Sequence, residues 1–141
     1  MARDVRNEKL ESLRRCVLRV EERRAESVEQ LEGDPDRQDI LALNLTRAVQ
    51  ICVDLAVHVV SRTHQAVPST MGEAFTELAS LGVIDDDLAA RMRAAVGFRN
   101  VAVHAYEQLD WAIVHAVSHE GLNDVRRFAR AIDAHLRDAT S

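Results

Sequence analysis

Between positions 98 and 106 the chain reads Phe98-Arg99-Asn100-Val101-Ala102-Val103-His104-Ala105-Tyr106. Arg, Asn, His and Tyr crowd together between apolar stretches, where burial without partners would be costly. An arginine offers a permanent cation and a bidentate fork for phosphoryl oxygens. A histidine gives or takes a proton near neutral pH. With no carboxylate cluster beside it, such a pair suits phosphodiester cleavage in which the RNA's own 2′-hydroxyl attacks. The same four residues also fit a hydrogen-bonded patch at an interface, and spacing alone leaves both readings open. On an ideal helix of about 100° per residue, Asn100 stacks on His104 and Arg99 nearly aligns with Tyr106. Arg99 and His104 then stand roughly 140° apart. They reach one phosphate only through a local distortion, or when two copies face each other across a dimer axis.

The elements that must carry these residues are helical. Leu10, Leu13, Val17, Val20, Val28 and Leu31 form an apolar stripe over about residues 4–32, interrupted by Arg24 and Ser27. Gly33 stands where a helix C′ residue belongs, and Asp34-Pro35 supplies an N-cap with proline at N1. A second helix, about 35–65, is apolar around most of its circumference from Ile40 to Val60. That pattern predicts a central helix, or one buried on a second side by a partner subunit. Pro68 ends it. Thr70-x-x-Glu73 reads as a capping box for a short third helix that Gly82 closes. Asp85-Asp86-Asp87 opens the fourth, motif-bearing helix, expected over about 86–108. Asp110 reads as another N-cap, and Gly121-Leu122-Asn123-Asp124 as a break between a short helix and a last one. The expectation is an all-α, four- to five-helix up-and-down bundle forming a single domain over 1–141.

Composition agrees. The 141 residues are 47% hydrophobic and 29% charged, with 4% aromatic residues, 5 Gly and 2 Pro, too little punctuation for a β-sandwich. No apolar run approaches about 18 residues, so neither a transmembrane helix nor a membrane partner is expected. The charged start lacks a secretory h-region. Cys16 and Cys52, outside any metal-ligand spacing, read as buried thiols of a reducing, cytoplasmic compartment. Net charge is −5, although residues 3–24 hold eight Arg/Lys against five Asp/Glu. Arg14, Arg15, Arg19, Arg23 and Arg24 fit either an RNA path or, with interspersed glutamates, a salt-bridged solvent face. His115 and His119 share a helix face; without a third ligand they read as solvated, whereas His58 and His64, six apart, read as ordinary helix surface or interface. Trp111 reads as a core or interface aromatic, and the aspartate triplet as helix capping rather than a metal site. The apolar breadth of residues 40–60 points to a tight homodimer.

The segment resembles the Arg-x4-His-x-Tyr motif of HepT-like toxins, a branch of the HEPN superfamily. The likeness extends over roughly 38–136, through "FTELASLGVID", "GFRN" and the "HAYEQLD" ending. It implies a HEPN-like helical homodimer acting as a metal-independent ribonuclease toxin on tRNA or mRNA. Its implied partner is a minimal nucleotidyltransferase antitoxin that silences it by transferring AMP to the motif tyrosine. Carried over, Arg99 and His104 are the catalytic pair, Asn100 positions the phosphate, and Tyr106 receives the AMP. No metal and no cofactor enters that scheme. Two other readings stay open: a non-catalytic HEPN partner of a nucleotidyltransferase, and a structural helical dimerisation domain.

Overall fold

The structure, a computed structural model, describes residues 5–64 and 68–140. The expected start of the first helix at residue 4 lies outside the described residues. The described residues are helical and contain no strand. They form α1 (Val5–Arg23), α2 (Val28–Glu32), α3 (Pro35–His64), α4 (Met71–Ser80) and α5 (Asp86–His104). A 3₁₀ turn, Tyr106–Gln108, leads to α6 (Trp111–Ala116), which runs through a π turn, Val117–Gly121, into α7 (Leu122–Thr140). With α6, the π turn and α7 taken as one continuous helix, the α-helices among the described residues number six rather than four or five.

Two differences from the sequence pattern have clear causes. The first helix is two. α1 stops at Arg23, where Arg37 Nη1 reaches back to the carbonyls of Arg23 (2.8 Å) and Arg24 (3.2 Å). Ser27 then caps α2 by accepting from Gln30 N, while Gln30 Oε1 accepts from Glu26 N. This is close to a capping box, and Ser27-x-x-Gln30 was its legible sign. The second difference is at Gly121, where the helix does not break. It widens by one residue into a π turn. A Cβ at Gly121 would lie 3.1 Å from Val117 Cγ1, so the missing side chain accommodates the tighter approach.

The remaining caps fall where the sequence puts them. Asp34 Oδ1 accepts from Arg37 N, Thr70 Oγ1 from Glu73 N, Asp85 Oδ1 from Leu88 N and Asp110 Oδ1 from Ala112 N. Gly33 ends α2 at an ordinary φ of −93°, whereas Gly82, at φ +77°, takes the left-handed position of a Schellman turn after α4. There the Val83 and Gly82 amides donate to the carbonyls of Leu78 and Ala79.

α3 is the central helix, packed by α1, α4, α5 and α7. Over Pro35–Thr63 it is long and apolar enough to cross a membrane by length and composition, although polar residues interrupt every apolar run within it. Leu41, Leu45, Ala48, Val49, Cys52, Leu55, Ala56, Val59 and Val60 are buried against the other helices, Ile40, Ile51 and Val57 are half-buried, and Leu43 is 51% exposed. Most of the apolar breadth of residues 40–60 is thus covered inside one chain, with Leu43 left facing out. Phe75 of α4 and Phe128 of α7 meet edge to face, 5.5 Å apart, at the other side of the core. Cys16 and Cys52 are buried and free, and burial pushes both thiols up.

Candidate functional site

α5 is anchored at its N-terminal end and left open at its C-terminal end. The anchor is ionic. Arg127 of α7 lies 3.5 Å from Asp85 and 3.7 Å from Asp87. Arg91 pairs with Asp87 at 3.0 Å and approaches Asp124 at 3.9 Å. Asp85 thus caps the helix, and Asp85 and Asp87 tie it to α7. Leu88, Ala89, Met92, Val96 and Phe98 are buried beyond it, which fixes the helix before the motif begins.

The motif then spans the helix end rather than lying along a helix to residue 108. Ala105 leaves helical geometry at φ −149°, ψ 54°. His104 is the last residue of α5, and Tyr106 opens the 3₁₀ turn. The Tyr106 ring packs edge to face on Trp111 at 6.0 Å, and its hydroxyl donates to Asp39 Oδ1 of α3 at 2.5 Å. Continuing the helix would break both contacts, so the seven-residue alignment of Arg99 with Tyr106 does not exist.

The motif residues are brought together only in part. Arg99 and Asn100 are half-buried, and Arg99 Nη1 donates to Asn100 Oδ1 at 3.1 Å. Arg99 Nε is buried and has no protein partner. His104 is exposed, and no hydrogen bond joins it to Arg99, Asn100 or Tyr106. A half-buried guanidinium held by one amide keeps capacity for an incoming anion at its outer N–H groups, while the buried Nε would need the site to open. Beside these groups, Val101 (38% exposed), Val103 (47%) and Ile113 (52%) present apolar side chains outward. Val101 and Ile113 line a cleft of about 460 Å³ between α3, α5, α6 and α7.

Tyr106 is 37% exposed. Burial, then its bond to Asp39 and that carboxylate's charge, push its phenol from 10 up to about 12. Asp39 is the residue that sequence reasoning missed. It lies 67 positions from Tyr106, and only the packing of α3 against the α5–α6 corner joins them.

The other candidates resolve into structure. His119 Nε2 donates to the Ala25 carbonyl at 2.9 Å, and its ring lies 4.5 Å from that of His115. Both are half-buried rather than solvated, and among the described residues no group of three or more metal-ligating side chains assembles. His58 is half-buried too, and the side chain of His64 lies outside the described residues. Of the basic face, Arg14 is held by both carboxylate oxygens of Glu11 at 2.7 and 2.8 Å. Arg24 bonds the Ser118 carbonyl at 3.4 Å. This favours the salt-bridged reading for Arg14 and a structural one for Arg24.

A helical bundle with this corner is a HEPN toxin fold. It superposes on the tri-AMPylated Shewanella oneidensis HEPN toxin solved with its MNT antitoxin, at a TM-score of 0.85 and 31% identity over 94% of this chain and 99% of that one. A toxin–antitoxin structure with AMP-PNP gives 0.86 and 30% identity over 94% and 99%. Residues 8–132 match the family described as Ribonuclease HepT-like, and the chain belongs to that family. Among its relatives, the mRNA nuclease HepT of Shewanella oneidensis is 33% identical over 132 residues, covering 93% of this chain and 98% of the relative. The tRNA nuclease HepT of Aphanizomenon flos-aquae is 27% identical over 101 residues, 72% of this chain and 69% of that one.

Proposed function

We propose that the chain is the ribonuclease toxin of a toxin–antitoxin pair, cutting RNA without a metal ion and silenced when a nucleotidyltransferase attaches AMP to Tyr106. The observation that carries this reading is the corner at the end of α5. There the anion-ready Arg99–Asn100 pair, the outward His104 and the tethered Tyr106 fall within eight residues, Arg99 to Tyr106, of a HepT-like chain.

In this scheme the 2′-hydroxyl attacks the adjacent phosphorus and the bond to the 5′-oxygen breaks. The products are a 2′,3′-cyclic phosphate, open to hydrolysis to a 3′-phosphate, and a 5′-hydroxyl. One proton must leave the nucleophile and one must reach the leaving oxygen. His104 supplies that chemistry, and a second copy related by a twofold axis would supply both roles from a single gene. Arg99 stabilises the added charge on phosphorus, and Asn100 holds the guanidinium in place. The apolar side chains around Val101 and Ile113 are the surface that a homodimer would cover. AMP on Tyr106 adds a bulky anion two residues beyond His104 and obstructs the approach of RNA.

The test is cleavage of total RNA by the purified protein in excess EDTA, with end-group analysis and light scattering on the same sample. Cyclic or 3′-phosphate ends from a dimer are expected. A strict metal requirement, or a stable monomer with full activity, would overturn the two-histidine scheme.

A further inference from the structure

Resting on the reading of Tyr106 as the AMP acceptor, we propose that Asp39 is the base for that modification, so that the toxin supplies a catalytic residue for its own silencing. The geometry is direct. Asp39 Oδ1 already accepts the hydrogen bond from the Tyr106 hydroxyl, the atom that must become the nucleophile. Asp39 is exposed on α3. Among the described residues, Tyr106 is the only side chain bonded to it.

The chemistry requires such a group. A neutral phenol is a weak nucleophile, and here burial and the neighbouring carboxylate both disfavour free ionisation. Proton loss must therefore accompany attack rather than precede it. The nucleotidyltransferase brings the nucleoside triphosphate. Tyr106 Oη bonds to the α-phosphorus, the bond from that phosphorus to the bridging oxygen breaks, and pyrophosphate leaves. The phenolic proton passes to Asp39 Oδ1 and from there to solvent. The product phosphodiester has no hydroxyl proton to donate, so the hydrogen bond to Asp39 is lost and two anions face each other. The modified ring is thereby released from α3. Before transfer the edge-to-face contact with Trp111 helps to hold the ring, and with it the hydroxyl, in place.

The experiment compares AMP incorporation into wild type, Asp39→Asn and Asp39→Glu with a cognate minimal nucleotidyltransferase, ATP and a magnesium salt, read by intact-mass and peptide mass spectrometry. The asparagine keeps an oxygen to receive the hydroxyl but cannot take its proton, so a purely orienting role would survive it. The expected loss is about 10²–10⁴-fold in transfer rate for Asn, with Glu retaining transfer within about tenfold of wild type because the carboxylate is kept. Transfer to Asp39→Asn within about tenfold of wild type, or a Glu variant as slow as Asn, overturns the role of Asp39. Circular dichroism melts establish that both variants fold, as a surface position outside the core permits. AMP found on another residue of the wild type would instead remove the acceptor assignment of Tyr106, an outcome distinct from a labelled Tyr106 that needs no Asp39.

Discussion

Two polar stretches interrupt apolar helix on neighbouring elements, and the fold treats them in opposite ways. Around the π turn, Ser118 Oγ donates to the His115 carbonyl, His119 donates to Ala25, and Arg24 reaches the Ser118 carbonyl. The last two bonds stitch the π turn to the α1–α2 connection, and His115 Nδ1 is left without a partner. At the end of α5 the bonding is sparse. Arg99 is held by its own neighbour, a buried donor is unspent, His104 faces out, and Tyr106 has a single tether. Polarity in an apolar helix thus does not mark a reactive site. Donors left open at a chain corner are what a ligand could still use, because a closed network has nothing to offer it without first losing stability.

The sharpest way to break this comparison is to exchange the roles of the histidines. His104→Ala is expected to lower RNA cleavage by about 10²–10⁴-fold, the usual weight of lost proton transfer. His119→Ala should change cleavage less than about threefold, and equal losses in the two variants would erase the distinction. Arg99→Ala should cost about 10²–10³-fold, as for one preorganised charge-stabilising donor. Arg99→Lys should recover little, since an ammonium lacks the planar fork that the Asn100 amide holds. Cleavage by Arg99→Lys near wild-type rate would reduce Arg99 to a point charge.

Stability should run the other way. His119→Ala strands the Ala25 carbonyl, whose residue is buried, and should cost about 1–3 kcal/mol in chemical denaturation. His104→Ala, at an exposed helix end, should stay within about 0.5 kcal/mol of wild type. A His119→Ala variant as stable as wild type would mean that the π-turn network is dispensable.

Much of this was legible in the residues, for local reasons. Caps act within three residues, so Asp34, Thr70, Asp85 and Asp110 announced their helices from sequence alone. The apolar wrap of α3 read correctly as a central helix. What failed depended on contacts between distant segments. The α1–α2 break has a local cap at Ser27, but its clamp comes from Arg37 and His119. The helix beyond His104 looked continuous because nothing in Ala105-Tyr106-Glu107 forbids one; Asp39 and Trp111 end it from outside. The motif residues were legible as types, whereas their state (paired, orphaned, exposed or tethered) emerged only in three dimensions.

The smallest effect tests the single tether in the open cluster. Tyr106 is the chain's one tyrosine, so phenolate absorbance reports it without deconvolution. In the folded protein the titration should centre near 12, against 10 for a free phenol. All three causes, burial, the bond to Asp39 and that carboxylate's charge, favour the neutral form. Their stabilising contribution is therefore complete below pH 10 and disappears as the pH rises through the folded value. Following circular dichroism over the same range separates ionisation of the native corner from loss of the fold. Asp39→Asn removes the hydrogen bond to a charged acceptor and the like-charge repulsion, yet leaves burial, the larger cause, in place. The midpoint should consequently move only part of the way back toward 10. A wild-type midpoint at 10 would mean that Tyr106 is neither packed nor tethered, and the open corner would then differ from the closed one even more than the structure indicates. An Asp39→Asn midpoint unchanged from wild type would leave burial as the sole cause and remove Asp39 from the electrostatics of the site.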